Sequence, residues 1–116
     1  MTVSYCQRGS LMTGLIKQWH IWMAKVKFED SEEVKERPVL IMNNAAYLIS
    51  AFKMTGTDRG DSFPEHRIRN WQAAGLTKET SVRLDKLLRL DKSALTTYVG
   101  KLDVGDIFLI QNKLSK

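Results

Sequence analysis

The sequence predicts a mainly β fold closed by a C-terminal helix, with its strands forming one small, strongly curved sheet or barrel. Three observations carry this prediction. Short apolar segments alternate with period two, as half-buried strands do. Turn signals rich in Gly, Asp and Pro separate several of them. Only the last segment, "DVGDIFLIQNKLSK", changes to helical spacing, behind an aspartate cap. Many short strands and one closing helix suit a small curved sheet.

The first strand is "HIWMAKVKF" (20–28), with Trp22, Ala24, Val26 and Phe28 on one face and Met23, Lys25 and Lys27 on the other. Trp22, on the apolar face, is the strongest core candidate among the tryptophans. "EDSEEVKE" (29–36) is too polar to bury and reads as a charged loop. "RPVLIMNN" (37–44) follows as a nearly all-apolar strand crossing the core, its proline at the strand start where a missing N–H does least harm. "AYLISAFKM" (46–54) is a third strand, and "TGTDRGDSFP" (55–64) a long exposed loop. "EHRIRNW" (65–71) alternates weakly and is expected as a fourth strand, before a turn around Gly75. "TSVRLDKLLRL" (80–90) alternates through Val82, Leu84, Lys86 and Leu88 and reads as a fifth strand, with a helix as the alternative; "TTYVGKL" (96–102) contains another strand. In the terminal helix Asp103 is the N-cap and Asp106 lies near the positive end of the dipole. Val104, Ile107, Ile110 or Gln111, and Leu114 mark its apolar face.

At 116 residues the chain makes one domain, and 43% hydrophobic residues place it with globular rather than disordered sequences. A single cysteine, Cys6, excludes an internal disulfide. With His20 and His66 as the only imidazoles, no transition-metal site and no cofactor is expected. No apolar run reaches the roughly 18 residues of a membrane span, and the N-terminus makes a poor signal peptide. A reducing cytoplasm is the expected compartment. The net charge of +5 favours an anionic partner, nucleic acid first, although solubility alone would also account for it.

Four segments occur in a telling order: "RPVLIM-NN" after a strand carrying a tryptophan, then "ISAFKMTGT", then "NWQAAGLTKETSVRLDKL", then "YVGKLDVGDI". Together they resemble the MazF/PemK family of toxin–antitoxin ribonucleases. "RPVLI" alone is a weak motif; its order and spacing with the later segments make the combination specific. The similarity covers residues 19–116 and leaves 1–18 as an N-terminal extension of unknown role. One departure is "QWH", where family members commonly carry Gly-Asp before the first strand's aromatic. The resemblance implies a small SH3-like barrel, usually a homodimer. It further implies a metal-independent nuclease for single-stranded RNA such as mRNA, blocked by a cognate antitoxin.

RNA carries its own nucleophile, the 2′-OH beside each phosphate. An enzyme acting without metal needs to align it, take its proton, stabilise charge at phosphorus and protonate the leaving 5′ oxygen, and positioning with charge stabilisation carries much of the barrier. Arg37 suits the charge-stabilising role, because its planar fork binds two phosphate oxygens and stays charged. Thr55 matches the family's Thr or Ser after the third strand and offers a hydroxyl. The two are expected to face each other across one end of adjacent strands. The plainer alternatives are a strand-edge Arg37 paired with Glu32, Glu33 or Glu36, and a Thr55 that merely precedes Gly56 in a turn.

For a general base, His66 titrates near neutral pH, with a surface histidine as the alternative. His20 is equally ambiguous, and Asp58 and Asp61 fall in a loop where aspartates usually serve turns. Lys53, Arg59, Arg67, Arg69 and the "KVK" of the first strand are candidates for an RNA groove. Trp19, Trp22, Phe63 and Trp71 offer faces for base stacking, against which a core role weighs at least equally. Two other functions compete. One is a toxin of the same fold that poisons a protein such as DNA gyrase and needs an exposed C-terminal contact surface. The other is a non-catalytic SH3-like module binding RNA or a peptide, favoured by the lack of an obvious base.

Overall fold

The computed structural model describes residues 16–27, 33–45, 48–56 and 64–115. The strands are β1 (His20–Lys27), β2 (Val34–Asn44), β3 (Ile49–Thr55), β4 (Glu65–Arg67), β5 (Ser81–Leu90) and β6 (Leu95–Lys101). A single 3-10 turn, Lys92–Ala94, joins β5 to β6, and helix α1 (Val104–Leu114) ends the chain. All six strands form one antiparallel sheet in the order β4-β5-β3-β2-β1-β6. The mainly β architecture with a C-terminal helix is the one that the residue pattern predicts. The sheet itself stays open, with β4 and β6 at its edges. Register shifts at Ile41/Asn43 and Phe52/Lys53, and two more between β1 and β6, bend its strands.

β2 forms the centre because three consecutive residues, Val39, Leu40 and Ile41, are each 0% exposed. A run buried on both faces needs a core on each side. One holds Trp22, Ala24, Val26, Val39, Ile41, Ala51 and Leu95. The other joins Ile21, Leu40, Phe52, Met54 and Val82 to Ala74, in the turn between β4 and β5, and to Ile110 of α1. Each such aliphatic side chain contributes about 1.5–3 kcal/mol on burial. A one-residue slip would drag Arg37 or Asn43 toward the buried stretch. The polar ends of β2 therefore fix the register that pairs Leu40 with Phe52 and Val39 with Lys53.

Three expectations need correction. Val34–Glu36, read as charged loop, belong to β2 and pair with Lys27–Lys25 of β1. Their side chains are exposed, so strand pairing there buries no charge. Pro38 consequently sits inside β2 rather than at its start; it pairs with Met23, while the ladder to β3 begins only at Val39. Second, the fourth strand stops at Arg67. The Ile68 N–H still donates to the Thr80 carbonyl at 3.0 Å, but the Asp106 carboxylate captures the two after it, accepting from Arg69 at 2.9 Å and from Asn70 at 3.1 Å, and the chain turns. Third, the buried positions of α1 are Asp106 and Ile110, whereas Val104 is 79% and Leu114 45% exposed. The Asp103 cap is as expected, accepting from the Gly105 N–H at 2.9 Å.

Two glycines let the turn after β4 lie backbone-to-backbone on β6. Gly75 has a φ of 90°, and a Cβ there would stand 2.4 Å from the Val99 carbonyl oxygen. A Cβ on Gly100 would stand 2.1 Å from that of Ala74. This contact is why "AAGL" and "YVGKL" belong together. No helix among the described residues is long and apolar enough to cross a membrane.

Candidate active-site cleft

The β2–β3 register, continued two places beyond Val39 and Lys53, sets Arg37 opposite Thr55. β5 completes the floor, pairing Arg83 with Lys53 and Ser81 with Thr55. The result is a cavity of about 170 Å³ lined by Arg37, Lys53, Thr55, Lys78, Thr80 and Arg83. Among the described residues, every charged side chain lining it is cationic. Lys78 reaches it across Gly56, where a built Cβ would lie 3.5 Å from the Lys78 Nζ. The buried Thr80 orders that approach, its hydroxyl donating to the Lys78 carbonyl at 2.9 Å. Arg83 donates through Nη2 to Asp85 at 3.3 Å, while its buried Nε–H finds no acceptor among the described residues. A buried donor without a partner costs about 1–3 kcal/mol.

Arg37 and Thr55 thus face each other as the sequence predicts, and Lys53, a groove candidate, lines the same cavity. Of the carboxylates weighed as partners for Arg37, Glu36 accepts from the Thr96 hydroxyl and Glu33 pairs with Lys35 at 3.4 Å. Glu32 lies outside the described residues, as do Arg59, Asp58, Asp61 and Phe63. Arg67 lies in the row of Ser81 and Thr55 and donates to the Ser81 hydroxyl at 3.1 Å. Arg69 sits exposed on the turn beyond β4. Trp22 is a core residue at 2% exposure. His20 meets Tyr98 edge-on, the ring centroids 5.3 Å apart.

Trp19 lies elsewhere. Its backbone adopts a φ of 73°, strained for a bulky side chain, and is held by bonds to Ile41 (2.8 Å) and from Leu102 (2.9 Å). The residue lines a second cavity, of about 390 Å³, with Gln18, Met42, Gln111, Leu114 and Ser115.

His66 is not part of the cleft. It is 3% exposed and joins α1, with Nε2 2.7 Å from Asp106 Oδ1. Lys113 Nζ stands 3.4 Å from Nδ1 and donates to the Glu65 carbonyl at 2.8 Å. An ammonium has no lone pair to offer, so this contact fits a neutral ring with its proton on Nε2. Burial holds the His66 pKa below its ordinary value; the Asp106 bond opposes the shift, and nearby Lys113 and Arg69 reinforce it. Burial pushes the Asp106 carboxyl up, but the Arg69 and Asn70 N–H groups and His66 outweigh it and hold the pKa below the ordinary range.

Sequence reasoning missed Lys78, Thr80 and Arg83 as cleft residues, although Arg83 stands in the quoted "SVRLDKL". Only the β3–β5 ladder reveals their position. Among the described residues, no group of three His, Cys, Asp or Glu side chains could hold a metal ion.

A family profile described as PemK-like, MazF-like toxin of type II toxin-antitoxin system matches residues 17–116. The chain belongs to the PemK/MazF family. No curated protein matches it in sequence. Solved structures agree on the PemK/MazF fold. An endoribonuclease from Mycobacterial species, in complex with its cognate antitoxin, matches with a TM-score of 0.68 at 19% identity, over 86% of this chain and 91% of that one. The Mycobacterium tuberculosis toxin MazF-mt6 matches with a TM-score of 0.67 at 21% identity, over 83% and 92% of the two chains. MazE-MazF from Deinococcus radiodurans gives 0.66 at 17% identity, over 87% and 93%. At these identities the likeness establishes the PemK/MazF fold.

Proposed function

We propose that this PemK/MazF toxin is an endoribonuclease that cuts single-stranded RNA by attack of its own 2′-OH. The products are a 2′,3′-cyclic phosphate and a 5′-OH. The observation that carries this reading is the cleft itself, where Arg37, Lys53, Lys78 and Arg83 converge around the hydroxyls of Thr55 and Thr80. Such a site fits a phosphodiester whose charge grows in the transition state. Arg37 clamps the non-bridging oxygens, and Thr55 hydrogen-bonds a phosphate oxygen or the 2′-OH. Lys53, Lys78 and Arg83 hold the adjoining backbone, with Arg67 at the margin.

His66 serves structure rather than proton transfer in this reading. No imidazole or carboxylate lines the cleft among the described residues, so alignment of the 2′-OH and charge stabilisation carry the rate. Single-stranded mRNA is the proposed substrate, a cognate antitoxin the proposed inhibitor and a homodimer the proposed assembly. The toxins solved in antitoxin complexes support the second of these.

One observation favours the protein-poisoning alternative: α1 exposes Val104 at 79% and Phe108 at 61%, an apolar C-terminal surface. The cationic cleft is what favours RNA over it. Incubating the purified protein with a long RNA in EDTA tests the choice. Defined fragments ending in 5′-OH and 2′,3′-cyclic phosphate are expected. A Mg²⁺ requirement or 5′-phosphate ends would overturn the mechanism, and intact RNA would favour the protein target.

A further inference from the structure

Beyond the cleft, and independent of its proposed chemistry, a polar network couples the edge strand β4 to both ends of α1. His66 Nε2 meets Asp106 of the first turn at 2.7 Å, and Nδ1 meets Lys113 of the last turn at 3.4 Å. Lys113 also bonds the Glu65 carbonyl at 2.8 Å, so one ammonium ties the end of the helix to β4 twice. We propose that His66 is a proton-operated latch: its neutral ring holds Lys113, and a proton arriving on Nδ1 expels Lys113 while the bond to Asp106 remains.

The chemistry is asymmetric because the two ring nitrogens have different partners. Protonation removes the ring lone pair that Lys113 donates to and sets two cations against each other. At Nε2 it converts a hydrogen bond into an ion pair, which is stronger. The acid-sensitive part is therefore the last turn of α1 and not the whole helix.

The groups around the ring are fixed by their elements. α1 supplies Asp106 and Lys113, and the turn after β4 supplies Arg69. β5 places the apolar Val82 opposite His66 in the ladder. On β4 itself, Glu65 contributes its carbonyl to Lys113, and Arg67 is bonded to Ser81. Release has a local consequence. The same last turn carries Gln111, Leu114 and Ser115, which wall the Trp19 cavity. Acid thus loosens one wall of that cavity.

Nuclear magnetic resonance of the full chain tests this, from about pH 7.5 to about pH 5 across the histidine range. The neutral ring is expected as the Nε2–H tautomer. The Trp19 indole and last-turn amide signals should move with the His66 midpoint, and amide protection in that turn should fall roughly threefold or more. Lys113→Met, at an exposed position, removes the like charge and should raise the His66 midpoint while uncoupling Trp19 from it. An Nδ1–H tautomer at neutral pH would overturn the proposal. So would a Trp19 signal indifferent to His66 titration, or a midpoint unchanged in Lys113→Met.

Discussion

Arg37→Ala is expected to slow single-turnover RNA cleavage by on the order of 100-fold or more, the loss typical of removing one donor that stabilises developing charge. RNA affinity should fall far less, because Lys53, Lys78 and Arg83 still line the same cavity. Arg37 lies at the exposed end of β2, away from the buried Val39–Ile41 run, so the fold should survive. Arg37→Lys should rescue poorly, since an ammonium cannot reproduce a bidentate fork. Single-turnover kinetics beside equilibrium binding, with circular dichroism as the folding check, separates these outcomes. A folded Arg37→Ala protein that cuts at the wild-type rate would return Arg37 to a strand-edge role.

The largest stability effect should come from Asp106→Asn. The carboxylate is 1% exposed; Oδ1 accepts from His66 at 2.7 Å and from the Arg69 N–H at 2.9 Å, and Oδ2 accepts from the Asn70 N–H at 3.1 Å. An amide has one acceptor oxygen, so at least one donor must face an NH₂ group. Breaking such a buried, charge-assisted network costs about 3–5 kcal/mol, a large part of the roughly 5–15 kcal/mol that holds a domain together. Urea unfolding followed by circular dichroism measures it, and a loss under about 1 kcal/mol would contradict the structural role given to Asp106. The network also gives stability a pH sign. His66 is harder to protonate folded than unfolded, so its contribution is complete above the ordinary histidine pKa and declines as the pH falls below it. Asp106 follows the same sign at lower pH, its contribution lost as the carboxyl protonates.

Most of the sheet was legible because burial imposes period two. Trp22, Ala24 and Val26 alternate, and the unbroken "VLI" marks a strand with a core on both sides. Boundaries were less legible where pairing, not burial, decides. Val34–Glu36 extend β2 only because β1 runs alongside. On the predicted apolar face of α1, Ile107 and Ile110 do pack on the core, but Val104 and Leu114 do not, because spacing cannot show that an aspartate is turned inward beside them. That depends on two N–H groups and a histidine far away in the chain. Arg37 and Thr55 could be found because a family pattern singled them out. Lys78, Thr80 and Arg83 enter the same cleft through the β3–β5 ladder, which carries no signal in local sequence. His66 has a residue type suited to catalysis, but its strand is three residues long. Nothing in so short a strand tells which face a later helix will cover.

The proposed chemistry has the cleft use the RNA's own 2′-OH. It is tested most directly with two short oligonucleotides spanning a cut found in the long RNA, one all-ribose and one carrying a single 2′-deoxy residue at the cut. Both strands should bind with similar affinity, and only the all-ribose strand should be cleaved. Cleavage of the deoxy strand at a comparable rate would contradict it, because the nucleophile would then have to come from elsewhere.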